Sequence, residues 1–342
     1  MNENEKISRI ETLLEQNNLQ EVTKLLVGFD ANAQPRNLNY LRAIFAIKIG
    51  DFMLANKALE LELALYPDND AAKRLRAFVA EPRNKFFDDK KEKSVPVLVN
   101  LGCGGNFRKG WINIDVASNS PDVIVHDLQR GIPLESESAD FVYASHVLEH
   151  FTKKEAEKFI DEIYRVLKKG GIARIAVPDL EQIAREYLRN LESAKLGDDE
   201  ARKRYEWIVL ELLDQLTRNV SGGEMLKYWA QKDIPALDYV IERVGTEAEN
   251  AIKNLRASGF VPSDEEPQEP CEIGRFRLSG EVHQWMYDEY SLGKLLRRAG
   301  FSDVGKTTAF DSRCAEFGKY FLDVTEEGKV RKPDSLFMEA VK

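Results

Sequence analysis

Apolar residues recur at helical spacing through the first 80 positions. Ile7, Ile10, Leu13 and Leu14, then Leu19, Val22, Leu25 and Leu26, each fall on one helical face. The pattern repeats itself: 17–22 aligns with 50–55, and the second copy runs on to Pro67-Asp68-Asn69. A charge-dense stretch, 81–94, then reads as a linker. From 95 onward, short β-branched runs alternate with amphipathic stretches, as a parallel sheet with crossovers requires. Strands are expected over 97–101, 112–115, 123–125, 141–145 and 172–177. The clearest helix is 153–168. Thr152 and Glu155 make a capping box at its start, Ala156, Phe159, Ile160, Ile163 and Leu167 form one apolar stripe, and Gly170-Gly171 is expected to stop it. Residues 181–280 are again helical and rich in charge and aromatics, an insertion at the carboxyl edge of the sheet. A helix near 290–299 and strands over 304–310 and 336–341 complete the domain. The expected organisation is therefore a helical region over 1–80, a linker over 81–94, and an α/β domain over 95–342 interrupted at 181–280.

The most informative chemistry lies between the first two strands. Gly102, Gly104 and Gly105 follow an apolar run directly, so a ligand could approach the backbone there without meeting a Cβ. Asp115 closes the next run, where a carboxylate can accept hydrogen bonds from both hydroxyls of a ribose. A dinucleotide fingerprint would continue to a third glycine and a helix whose amides hold a pyrophosphate. Here position 107 is Phe, and the stretch from Gly105 to Ile112 is too short for an ordinary helix. That favours a ribose ligand without phosphate, and S-adenosylmethionine is the commonest such cofactor.

Composition narrows the partners. At 342 residues with a net charge of -9, the chain suits about two domains and argues against a broad phosphate-binding face, so no nucleic-acid partner is expected. Cys103, Cys271 and Cys314 are scattered without paired spacing, which indicates neither a disulfide framework nor a zinc site. No metal site is expected. The opening residues lack a cationic start before an apolar core and no run is long enough to span a membrane, so a cytoplasmic protein without a membrane partner is expected.

Several segments in matching order resemble a class I S-adenosylmethionine-dependent methyltransferase, on a Rossmann-like sheet: Asn100-Leu101-Gly102-Cys103-Gly104, Asn113-Ile114-Asp115, His126-Asp127-Leu128, Ala139-Asp140-Phe141-Val142, His146-Val147-Leu148-Glu149-His150 and Arg165 through Gly171. The resemblance implies that the turn at Asn100, Gly102, Cys103 and Gly104 passes the methionine moiety and that Asp115 holds the ribose. It puts Asp127 by the adenine amine with Leu128 beside the ring, and faces Ser145 and His146 toward the sulfonium. The first crossover is shorter than in most members. A bacterial subgroup with Gly-Trp-Ile-Asn-Ile-Asp after the glycines shares that shortening and is often associated with glycan tailoring. The N-terminal helices are similar to tetratricopeptide repeats, which pair helices at a period of about 34 residues. They lack the usual early aromatic and number only two units, so residues 5–80 read either as a protein-binding surface or as an element for self-association.

Methyl transfer to an alcohol or protonated amine also needs a base, and the histidines are few: His126, His146, His150 and His283. His146, at a strand end, is the first candidate, and a structural imidazole is the competing reading. His283 is the second, and Asp179 after the fifth strand could act as base or cap the next helix. Glu149 could touch cofactor or substrate, or be a solvated or helix-capping side chain. His150 is read as packing or capping, and Cys103 as a packing residue. The expected activity is methylation of a hydroxyl or amine on a small molecule, a sugar or glycan precursor first. The other open readings are a non-catalytic scaffold that binds a partner through the N-terminal helices, and a nucleotide-dependent oxidoreductase.

Overall fold

The computed structural model describes residues 3–15, 19–29, 34–48, 52–76, 96–262 and 269–342. The expected linker at 81–94 and the echoed turns at 17–18 and 50–51 lie outside them. Seven strands form one sheet: β1 (Leu98–Leu101), β2 (Ile112–Asp115), β3 (Val123–Val125), β4 (Ala139–Ser145), β5 (Leu167–Pro178), β6 (Ser302–Thr307) and β7 (Ser335–Val341). Their order is β3-β2-β1-β4-β5-β7-β6. β1 lies parallel to β2 and β4, with Val99 opposite Ile112 and Val142, and β4 lies parallel to β5. β7 alone runs against its neighbours β5 and β6. This is the strand order of the class I methyltransferase sheet, a Rossmann-like arrangement with a reversed strand near one edge. By contact density the chain divides into two units, Met1–Pro96 with Val116–Asp127, and Val97–Asp115 with Leu128–Lys342.

In the first unit, α1 (Glu3–Glu15), α2 (Leu19–Val27), α3 (Leu38–Lys48), α4 (Phe52–Leu65) and α5, helical over 70–76, follow one another. Ile7, Ile10, Leu13, Leu14 and Val22 close on Leu38 and Leu41, the faces that the periodicity marks. α3 and α4 meet through Ala43, Ala46, Ala55 and Ala58 around Leu59, small residues that let the helices approach closely. Glu62 is buried, with no ion pair among the described residues. Its carboxylate accepts from the Asn37 amide at 2.8 Å, the Asn39 amide at 3.2 Å and Asn69 Nδ2 at 2.8 Å, which offsets its desolvation.

In the second unit, residues 102–111 join two parallel strands through turns alone, so the phosphate-holding helix of a dinucleotide fold is missing there. α6 (Lys153–Val166) has the expected capping box, with the Thr152 side chain accepting from Glu155 and the Glu155 side chain from Thr152. It buries Ala156, Phe159, Ile160, Ile163 and Val166. The helix stops sooner than 168. Leu167 is already extended and pairs with Ala139, and Gly170-Gly171 fall inside β5, where the Gly170 amide bonds to the carbonyl of Lys342. Strand pairing therefore ends this helix ahead of its glycines.

Among the described residues, six helices occupy the span between β5 and the last crossover helix: α7 (Leu180–Lys195), α8 (Asp199–Thr217), α9 (Gly223–Trp229), α10 (Leu237–Val244), α11 (Thr246–Ser258) and α12 (Pro270–Arg277). They build their own core from Trp207, Tyr228, Trp229, Tyr239 and Val240. α13 (Glu289–Arg298), capped by Asp288, leads into β6. Between β6 and β7 the chain folds back over the sheet and is fastened by Arg174 of β5. That guanidinium is fully buried, bonds Asp323 at 2.7 Å and Glu339 at 2.8 Å, and stacks 4.6 Å from the Phe317 ring.

Candidate active site

Gly102 ends β1 with a φ of +62°, a region where an L side chain is strained. Its amide and that of Cys103 both reach the carbonyl of Ile114, which locks the turn to β2. A Cβ on Gly102 would stand 2.3 Å from Val147 Cγ2, whereas one on Gly105 would meet nothing within 4 Å. The two glycines thus serve different ends: one allows close packing, the other leaves open space. Asp115 follows as the last residue of β2, and its Oδ2 accepts the Gly104 amide at 2.7 Å. The acid therefore shapes the turn. The adjoining cavity, of about 330 Å³, is lined by Asn100, Gly102, Cys103, Gly105, Tyr143, Ser145 and His146, by Asp323 and Lys332 from the segment between β6 and β7 (the strap), and by Ser335 at the start of β7. Burial pushes the Cys103 thiol up to about 12, with Asp115 adding to it, so this thiol is a packing group and no nucleophile.

Of the other expected cofactor residues, Asp127 follows β3 and is half-buried, and Leu128 opens a short 3₁₀ turn and is buried. The motif histidine is more unusual. His146 has a φ of +54° just past β4, an uncommon conformation for a residue with a Cβ and one that clusters at functional sites. Its own amide, bonded to Ala176 O at 2.8 Å, holds it there. In this pose Nε2 lies 2.8 Å from Ser335 Oγ and Nδ1 lies 3.2 Å from Glu149 Oε1.

His146 also lines a second cavity of about 290 Å³, with Glu149, His150 and His283, and with Glu211, Gln215, Arg218 and Glu281 from the helical insertion side. Lys332 borders both cavities. Glu149 is fully buried, which overturns the solvated reading. Burial alone would raise its carboxyl, but the contact with His146 outweighs that and takes it down to about 2. Burial acts the other way on His283, which is lowered to about 3 and stays neutral. Its position is set by the backbone: the His283 amide bonds Gln215 O, and the next two amides both bond Glu149 O. Donor atoms of Glu149, His150 and His283 lie within 4.8 Å of one another, close enough to share a metal ion.

Asp179 makes the contacts of the helix-capping alternative. Its Oδ1 caps α7 by accepting the Gln182 amide at 3.2 Å, its Oδ2 pairs with Lys306 at 3.2 Å, and it lines neither cavity. The helix N-terminus that follows β5 uses the carboxylate up. Motif reading misses Tyr143, on β4, and also Asp323, Lys332 and Ser335, which reach the site through the reversed strand β7 and the segment before it. Tyr143 donates to Asp323 at 2.6 Å, the same carboxylate that Arg174 holds.

Residues 108–175 match the family model described as a methyltransferase domain. No curated protein matches the chain. Among solved structures, the chain is similar at 14% identity to a Thermotoga maritima S-adenosylmethionine-dependent methyltransferase, described as a possible histamine N-methyltransferase, with 79% of this chain and 95% of that one covered and a TM-score of 0.33. It is similar at 11% identity to the Burkholderia thailandensis 1,6-didemethyltoxoflavin-N1-methyltransferase, solved with S-adenosylhomocysteine, with 92% and 93% covered and a TM-score of 0.31. A putative methyltransferase complexed with the Haloferax volcanii Trm112 activator is similar at 13% identity, with 78% and 93% covered and a TM-score of 0.32. The matched segment thus carries a methyltransferase domain, on a sheet with the class I strand order.

Proposed function

We propose that the enzyme methylates a hydroxyl or amine of a small polar molecule, a sugar or glycan precursor first. The observation that carries this reading is the placement of His146, whose ring borders both the glycine-turn cavity and the polar cavity beside it. The first cavity fits the cofactor, since Gly105 leaves its backbone open to a ligand and Asp115 offers a ribose partner. When bound, S-adenosylmethionine supplies a methyl group activated by a sulfonium. The second cavity, where glutamates alternate with Arg218, Gln215 and Lys332, suits an acceptor dense in hydroxyls.

Transfer is an in-line displacement, so the protein's main work is alignment and exclusion of water. As the acceptor heteroatom bonds to the methyl carbon, the carbon–sulfur bond breaks and the acceptor proton must leave. Glu149, ionised beside Nδ1, favours the tautomer that carries its proton on Nδ1 and leaves Nε2 to accept. His146 Nε2 takes the acceptor proton directly or through the Ser335 hydroxyl. In the same proposal, residues 5–80 form a tetratricopeptide-like surface for a protein partner or a second copy, and the enzyme works in the cytoplasm.

The test is turnover on a panel of sugars, sugar nucleotides, amines and peptides, read as S-adenosylhomocysteine formed. A sugar hydroxyl is expected to be the best acceptor. With it, His146→Asn should lower kcat by about 10²–10⁴-fold while leaving cofactor affinity within a few-fold. Turnover on peptides alone, or an undiminished kcat in His146→Asn, contradicts the proposal.

A further inference from the structure

We infer that Glu149, His150 and His283 form a site for one divalent transition-metal ion, Zn²⁺ first, with an open position facing the polar cavity. Two imidazole nitrogens and one carboxylate oxygen make a borderline donor set that suits zinc and its first-row neighbours and is a poor match for Ca²⁺ or Mg²⁺. The three donor atoms already lie within 4.8 Å of one another. The Glu149 side chain is fully buried, with His146 Nδ1 3.2 Å from Oε1, and among the described residues Oε2 and the buried His150 Nδ1 have no hydrogen-bond partner. A buried carboxylate with so few donors is costly, and a cation is a partner that suits such a cluster. The contact with His146 leaves room for ligation, because a carboxylate has two oxygens.

The scaffold fits the assignment as well. His150 and His283 come from distant segments and pack edge to face with centroids 4.8 Å apart. Gln284 and Trp285 amides bond the Glu149 carbonyl at 2.7 and 3.2 Å, so backbone bonds join the two ligand-bearing segments whether or not an ion is present. Three protein ligands bordering a cavity are the pattern of a site that keeps one position for water or substrate. That this position receives an acceptor oxygen rests on the function proposed above; metal binding itself does not.

The experiment uses the full chain, stripped with a chelator and titrated with Zn²⁺ against a chromophoric competitor, without cofactor or acceptor. One ion per chain is expected. Affinity should fall by about 100-fold or more in His150→Asn and in His283→Asn, and stay unchanged in His126→Asn. The wild-type chain loaded with Co²⁺ gives a readout that needs no variant: the strong visible absorption of a four- or five-coordinate ion is expected. The inference is overturned if the folded chain takes up neither Zn²⁺ nor Co²⁺ stoichiometrically, if the Co²⁺ spectrum is that of a hydrated six-coordinate ion, or if both folded histidine variants bind like wild type. Cofactor binding, measured separately, decides the methyl-transfer reading independently of these results.

Discussion

Gly102 and Gly105 stand three residues apart in one turn, and alanine at each should fail for a different reason. Gly102→Ala forces a side chain into φ +62°, which costs about 1–2 kcal/mol. It also drives a Cβ to 2.3 Å from Val147 Cγ2, an overpacking worth about 1–3 kcal/mol. The sum, about 2–5 kcal/mol, is a large part of a domain's usual margin and should lower the melting temperature by roughly 5–15 °C. Val147→Ala in the same chain removes the clash but not the backbone strain, so the double variant should recover part of the loss and show a coupling energy of about 1 kcal/mol or more. Gly105→Ala meets no atom within 4 Å and should change stability by less than about 0.5 kcal/mol. Its Cβ occupies the cofactor cavity instead, so affinity for S-adenosylmethionine should fall by about tenfold, a loss of about 1.4 kcal/mol. Scanning calorimetry and isothermal titration separate the two effects. A Gly102→Ala chain that melts with the wild type, or a Gly105→Ala chain that binds cofactor as tightly, refutes the assignment of packing to one glycine and ligand space to the other.

Other parts of the structure make independent predictions. Arg174→Met leaves Asp323 and Glu339 buried without their cation and should cost about 3–5 kcal/mol, read as a lower denaturant midpoint; an unchanged midpoint would mean that the strap is not fastened by this residue. Thr152→Ala removes the hydroxyl half of the capping box on α6, leaving the Thr152 amide bond to Glu155, and should cost about 1 kcal/mol by thermal melting, while Thr152→Ser should retain most of the stability. Equal melts for all three chains would show that the hydroxyl contributes nothing.

The legible parts of the sequence were those that depend on local rules. Alternating β-branched runs located the strands, and the Thr152–Glu155 box and its apolar stripe located α6, because periodicity and capping act over a few residues. The end of α6 was misplaced because Leu167 obeys strand pairing with Ala139, a partner distant in sequence, in preference to the glycines beside it. The site divides the same way. Gly102, Asp115 and His146 stand at the strand ends where the apolar runs place them. Asp179 sat at a strand end too, but the helix start claimed its carboxylate. Glu149 and His283 meet through backbone bonds between segments 134 residues apart, and no spacing rule announces that. Nor could motif reading anticipate Ser335 and Lys332, which the reversed strand β7 and the strap before it carry to the cavity.

The central claim is that the turn from Gly102 to Asp115 holds the adenosyl cofactor. Titrating the full chain with S-adenosylhomocysteine by isothermal calorimetry, beside Asp115→Ala, tests it most directly. One saturable site is expected in the wild type. The variant should bind about 10–100-fold more weakly, since it loses the charged partner of the ribose and the carboxylate that bonds the Gly104 amide. No saturable binding to the folded wild-type chain, or equal affinity in Asp115→Ala, would contradict the account.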